Sequence, residues 1–149
     1  MSHEAEVAAY LRLDGTLTGL LPGGVYVWSD LGEAGIVDAT MTPAVWTGGV
    51  FQPCAVVRER QPVPDYRVQD MLAQLVSQTQ AIEIWLYAAD ATVVESAADR
   101  VYALMQGHPF TLTWAAQWDG GLATRRAPEL PNIWMARRDY RLTSLKVAA

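Results

Sequence analysis

The stretch from Ile133 to Val147 constrains the fold more than any other segment. Its residues alternate: Trp134, Ala136, Tyr140 and Leu142 fall on one side of an extended chain, and Arg137, Asp139, Arg141 and Thr143 on the other. Side chains of a strand point to opposite faces with a period of two. The pattern therefore demands a sheet with one covered apolar face and one polar face turned to solvent or to a neighbour. Antiparallel sheets accommodate that asymmetry, whereas parallel sheets are buried on both faces.

The cover for the apolar face is legible as helix. Val94, Ala97, Ala98, Val101, Leu104 and Met105 form one stripe at helical spacing. Asp90 or Thr92 can cap its start, and Thr92-Val-Val-Glu95 has the form of a capping box. Gly107 supplies the stop, with Pro109 beyond it. An earlier helix begins near Ser2, with Glu4 and Glu6 in the first turn where the helix dipole favours acids. Its stripe runs through Val7, Tyr10 and Leu11 and resumes at Leu17, Leu20 and Leu21. Gly15 is expected to break or kink it, and Pro22-Gly23-Gly24 to end it.

Further strands are expected at Val25–Trp28, Val50–Arg58 and 78–88, the last with Ile82, Ile84 and Leu86 on one face. Residues 29–49 read as a long loop, and Pro62 and Pro64 end the second strand. Val68, Met71, Leu72, Leu75 and Val76 have helical spacing, so 61–77 is read as a short helix or an extended arm. Phe110, Leu112, Trp114, Ala116 and Trp118 alternate as another strand, which makes Trp114 and Trp118 core residues. Asp119-Gly120-Gly121 then reads as a turn and 122–132 as a loop. The order is α–β–β–(α or arm)–β–α–β–β. The expected class is α+β: a mostly antiparallel sheet with two helices packed on one face, in a single domain spanning 1–149.

Composition limits what such a domain does. Charged residues are 18% of the chain, below the roughly 25% of an average soluble domain, and six Trp and six Tyr accompany them. Large aromatics are enriched at interfaces, so assembly is expected. Trp28 and Trp46 flank the long loop and are interface candidates, as are Arg137, Asp139 and Arg141 on the polar strand face. Net charge is −5. The short basic clusters Arg58-Glu59-Arg60, Arg125-Arg126 and Arg137-Arg138 read as solvated or interface charges rather than a nucleic-acid footprint.

No catalytic constellation is legible. The single cysteine, Cys54, lies in an apolar run and reads as a small buried hydrophobe. His108 stands between a helix stop and a proline and reads as a turn residue. One Cys and two His cannot supply a usual zinc set, and the glycine pairs lack phosphate-loop spacing. No cofactor, metal or membrane partner is expected. The N-terminus lacks a basic and apolar leader, and no apolar run approaches the ~18–20 residues of a spanning helix. A reducing cytoplasm, or exit by lysis, is the expected setting.

Four segments together resemble the tail terminator (tail completion) proteins of long-tailed phages and gene transfer agents. These are the leucine-rich first helix leading into Pro22-Gly-Gly-Val-Tyr26, the strand Pro53-Cys-Ala-Val-Val-Arg-Glu-Arg60, the pair Ile82–Tyr87 and Val94–Met105, and the terminal strand with Asp139-Tyr-Arg-Leu142. The resemblance is one of pattern and order across nearly the whole chain. It implies a structural virion protein without catalytic residues, forming a ring, usually hexameric, at the head-proximal end of the tail tube. It further implies three partners: other copies of itself, the tail tube protein, and a head-neck connector or stopper. DNA would pass through the lumen only as cargo. Another neck or connector subunit, or a non-viral binding domain with a pocket lined by Trp28 and Trp46, remain the alternatives.

Overall fold

The computed structural model describes residues 3–31, 45–60, 63–65, 75–110, 115–128, 130 and 132–147. Helices α1 (His3–Arg12) and α2 (Gly15–Leu20) precede strand β1 (Gly24–Val27). Strands β2 (Cys54–Glu59), β3 (Val63–Asp65) and β4 (Leu75–Ala88) follow, then helix α3 (Ala91–Met105) and strands β5 (Gln117–Arg126) and β6 (Trp134–Val147). The strands form one six-stranded sheet in the order β1-β2-β4-β6-β5, with β3 pairing the early part of β4. Only β1 and β2 run parallel; the other pairs are antiparallel. The α+β class read from the sequence is the class observed.

The helices pack on the sheet face that carries Val25, Val27, Ala55, Val57, Ile82, Ile84, Leu86, Ala136, Tyr140 and Leu142. Against these lie Val7 and Leu11 of α1, Leu17 of α2, and Val94, Ala97, Val101 and Met105 of α3. The alternation of β6 is realised as read: Ala136, Tyr140 and Leu142 are fully buried beneath the helices. Burial of this kind removes roughly 25 cal/mol per Å² of apolar area from water and is the main force that holds the layers together.

The first apolar stripe is two helices rather than one kinked helix. Asp14, one residue before the glycine expected to break it, leaves helical geometry at φ −86, ψ 115. Its carboxylate accepts the Leu17 N–H at 2.8 Å, an N-cap for α2, and receives Nε and NH2 of Arg100 on α3 at 2.9 and 2.6 Å. The Arg100 hydrogen bond, followed by that from Leu17, holds the Asp14 carboxyl at about 2, well below its usual 3.8. One side chain thus starts α2 and ties it to α3. In α3 the cap is Asp90, which accepts the Thr92 N–H at 2.9 Å. The helix stops at Met105, before Gly107 at φ 80.

Two further expectations are corrected. The second strand begins at Cys54, after Pro53, rather than at Val50. Asp119-Gly120-Gly121 is no turn: β5 runs straight through it, and the 122–126 part of the expected loop is strand. Register against β6 shifts between Trp118 and Gly121 and again between Leu122 and Arg125. At the first shift the strands approach so closely that a Cβ on Gly121 would strike the Arg137 carbonyl, and Gly121 has φ 141. The glycine marks a bulge and not a chain reversal. Most of the 29–49 loop, the 61–77 arm except Val63–Asp65 and Leu75–Ser77, and the Leu112–Trp114 part of the alternating run lie outside the described residues.

Candidate interaction faces

The face of the sheet away from the helices is divided along its length. At one end Cys54, Val56 and Met135 are covered by Val45, Ala127, Leu130 and Ile133 from the flanking loops, which makes a second, smaller core. Trp46 packs into it edge-on to Phe51, with ring centroids 5.3 Å apart. Cys54 is fully buried there, and desolvation pushes its thiol up to about 12. A thiol so placed carries almost no thiolate at neutral pH and is chemically quiet.

The middle of the same face is ionic. Glu83 and Asp139 are paired directly across β4 and β6, an arrangement of like charges that is unfavourable by itself. Arg137 offsets it: Nε lies 2.9 Å from Oδ1 of Asp139, NH2 donates to Oδ2 at 3.1 Å, and NH1 lies 3.5 Å from Oε2 of Glu83. Arg60 reaches the same Glu83 oxygen at 3.0 Å. The Glu83 side chain is only 3% exposed, so the guanidinium groups of Arg60 and Arg137 stand around it where water would otherwise be. Burial raises the Asp139 pKa, and the hydrogen bond from Arg137 opposes that shift. The Arg137 guanidinium also lies 5.5 Å from the centroid of Trp85. Farther out, Arg141 meets Asp119 of β5 at 3.5 Å, with both side chains about half exposed.

The five residues singled out from the sequence therefore fall into three settings. Arg137 and Asp139 belong to the ionic centre, with Arg141 at its rim. Trp46 is part of the second core. Trp28, 45% exposed, follows β1 with the Arg58 guanidinium 4.8 Å from its ring centroid. Trp28 sits beside the end of β2, whereas the loop holding Trp46 leads into its start.

Sequence reasoning missed Glu83, because an acid alternating with Ile82 and Ile84 reads as solvent-facing. It also misassigned Trp118, which is 52% exposed rather than core. His108 is built into the fold. Its ring stacks on Tyr10 of α1 at 3.8 Å and meets Phe110 edge-on, while the Tyr10 hydroxyl donates to the Leu104 carbonyl. Among the described residues no group of three His, Cys, Asp or Glu is placed to hold a metal ion, and no helix is long and apolar enough to cross a membrane.

No protein-family model matches the chain, and no curated protein matches it. A solved structure does. The chain is similar to one from a "Virion of native gene transfer agent (GTA) particle", at 15% sequence identity and a TM-score of 0.63. The alignment covers 97% of this chain and 96% of that one. The two share a fold. The likeness spans nearly the whole of both chains and is not confined to a common sub-motif.

Proposed function

We propose that this chain is a structural virion protein, the tail terminator of a phage or gene transfer agent. It forms a ring, hexameric by the family resemblance, that ends the tail tube at its head-proximal end and joins it to the neck. The observation that carries the reading is the end-to-end fold likeness to a chain of a gene transfer agent virion, covering 97% and 96% of the two chains. The subunit's own features agree with it. Its one cysteine is buried, one of its two histidines is a packing residue, and the middle of its polar sheet face is an ion network. The role is non-enzymatic, and its partners are further copies of itself, the tube subunit and a connector or stopper.

The test is tube growth. Tail-tube subunits polymerised with this protein present should give shorter tubes, each carrying it at one end only. Tubes of unchanged length, with no protein at either end, would contradict the terminator role. Binding to a head-neck ring without any effect on tubes would move the assignment to a connector or stopper.

A further inference from the structure

The sequence holds two Asp-Gly steps, Asp14-Gly15 and Asp119-Gly120. Such steps share one latent reaction. The glycine amide nitrogen attacks the aspartate Cγ, and glycine has no Cβ to crowd its approach. The N–Cγ bond forms, the Cγ–OH bond of the protonated carboxyl breaks, and the hydroxyl leaves with the amide proton as water. Water then opens the cyclic imide at either carbonyl. Opening at Cγ restores aspartate. Opening at the former backbone carbonyl leaves isoaspartate, with an added methylene in the main chain and a free α-carboxylate. No oxidant or reductant takes part.

The fold treats the two steps differently. The Asp14 carboxylate receives Nε and NH2 of Arg100 at 2.9 and 2.6 Å and the Leu17 N–H at 2.8 Å. These bonds hold its carboxyl at about 2, so little of it carries the proton that ring closure needs. Gly15 is the first residue of α2, which fixes its backbone. Asp119 has none of this. β5 is the last strand of the sheet, and its pairing to β6 passes from Trp118↔Tyr140 to Gly121↔Arg138. Asp119 and Gly120 together therefore stand opposite Asp139 alone, a bulge in which the extra residue is left out of the ladder. Gly120 has φ 100, outside extended geometry, and a Cβ placed on it would meet nothing within 4 Å. The Asp119 side chain is 48% exposed, and its ion pair with Arg141 Nε is long, at 3.5 Å.

We infer that Asp119-Gly120 is a site of spontaneous modification, where the folded chain converts aspartate to isoaspartate through the imide, while Asp14-Gly15 is protected. The reactants are the chain itself and water. The consequence falls on β5. An added methylene at the bulge displaces the strand against β6, and the adjoining Trp118 N–H is the one that Gln106 Oε1 accepts at 2.8 Å. The Arg141 contact changes with it, because the carboxylate now hangs from the main chain without its own methylene. The inference is independent of the ring reading.

Prolonged incubation of the purified chain at neutral pH, followed by peptide mapping with enzymatic methyl labelling of isoaspartate, tests it. Isoaspartate should accumulate at Asp119 at least about tenfold faster than at Asp14, whose carboxyl is held low. In denaturant, where the cap and the bulge are both lost, the two rates should come together. Asp119→Glu keeps the charge opposite Arg141 but requires a larger imide ring, so it should abolish the label, with circular dichroism to check its fold. If Asp119 stays unaltered in the folded chain, the strand holds the step shut and the inference fails. Equal rates at both steps in the folded chain would overturn the protection of Asp14. Label that persists undiminished in Asp119→Glu would overturn the assignment to this site.

Discussion

The two faces of the sheet are built on different principles. Beneath the helices, one contiguous apolar cluster joins all three helices to the central strands, with little room for polar groups. On the other side, a small loop-covered core gives way to a row of charges on β4 and β6, which Arg60 just past β2 and Asp119 of β5 join. The helix face specifies the fold through shape and volume. The opposite face costs stability to build, since a buried carboxylate needs guanidinium partners to remain charged, and such groups are costly to leave unmatched. The difference teaches that the two faces hold the sheet by different means, apolar volume on one and a smaller core with paired charges on the other. The other face carries polar and half-buried groups.

Mutations that cut each face separately break or sharpen the contrast. Leu86→Ala, in the centre of the helix face, should cost about 3 kcal/mol in chemical denaturation, because the closed cluster cannot collapse around the cavity. Arg137→Ala should cost less, about 2 kcal/mol. It leaves the buried Glu83 with the exposed Arg60 alone and removes the cation between Glu83 and Asp139. A loss equal to that of Leu86→Ala would mean that the two faces are equally structural.

Asp14→Ala should lower Tm by about 3–6 °C at neutral pH, through the lost cap and the released Arg100. The sign of its pH dependence follows from the lowered carboxyl. Its stabilisation is present above the ordinary value of 3.8 and is lost as pH falls toward about 2, so variant and parent should converge in that window. Arg141→Ala breaks only a half-exposed pair with Asp119 and should change stability by less than about 0.5 kcal/mol. If the exposed rim serves assembly rather than folding, that substitution should act on association alone.

What the sequence disclosed follows the same division. The stripe and stop of α3 and the alternation of β6 are local patterns that the helix face simply realises, so the α+β class was readable. The continuity of β5 was not. Asp119-Gly120-Gly121 has the composition of a turn, and only the close approach of the Arg137 carbonyl turns it into a bulge. Glu83 was hidden for a related reason, since its burial depends on Arg60 and Arg137, which lie 23 and 54 positions away in the chain. The second core draws on Val45 and Leu130, which lie in aperiodic segments where no spacing betrays a buried residue. Trp118 shares the parity of the core residues opposite it, yet stands at the sheet edge, where the residue just past α3 meets its backbone rather than covering its ring. Of the interface candidates, strand alternation put Arg137, Asp139 and Arg141 together on the face away from the helices. Nothing local separated the exposed Trp28 from Trp46, which is packed into the second core.

The central claim is that this subunit is made to assemble with itself. Its most direct test is the mass and shape of the purified protein, by light scattering and negative-stain imaging across a concentration series. The account predicts a closed ring with a central hole and a mass that is a whole multiple of 16.4 kDa. A strict monomer at every concentration would contradict it.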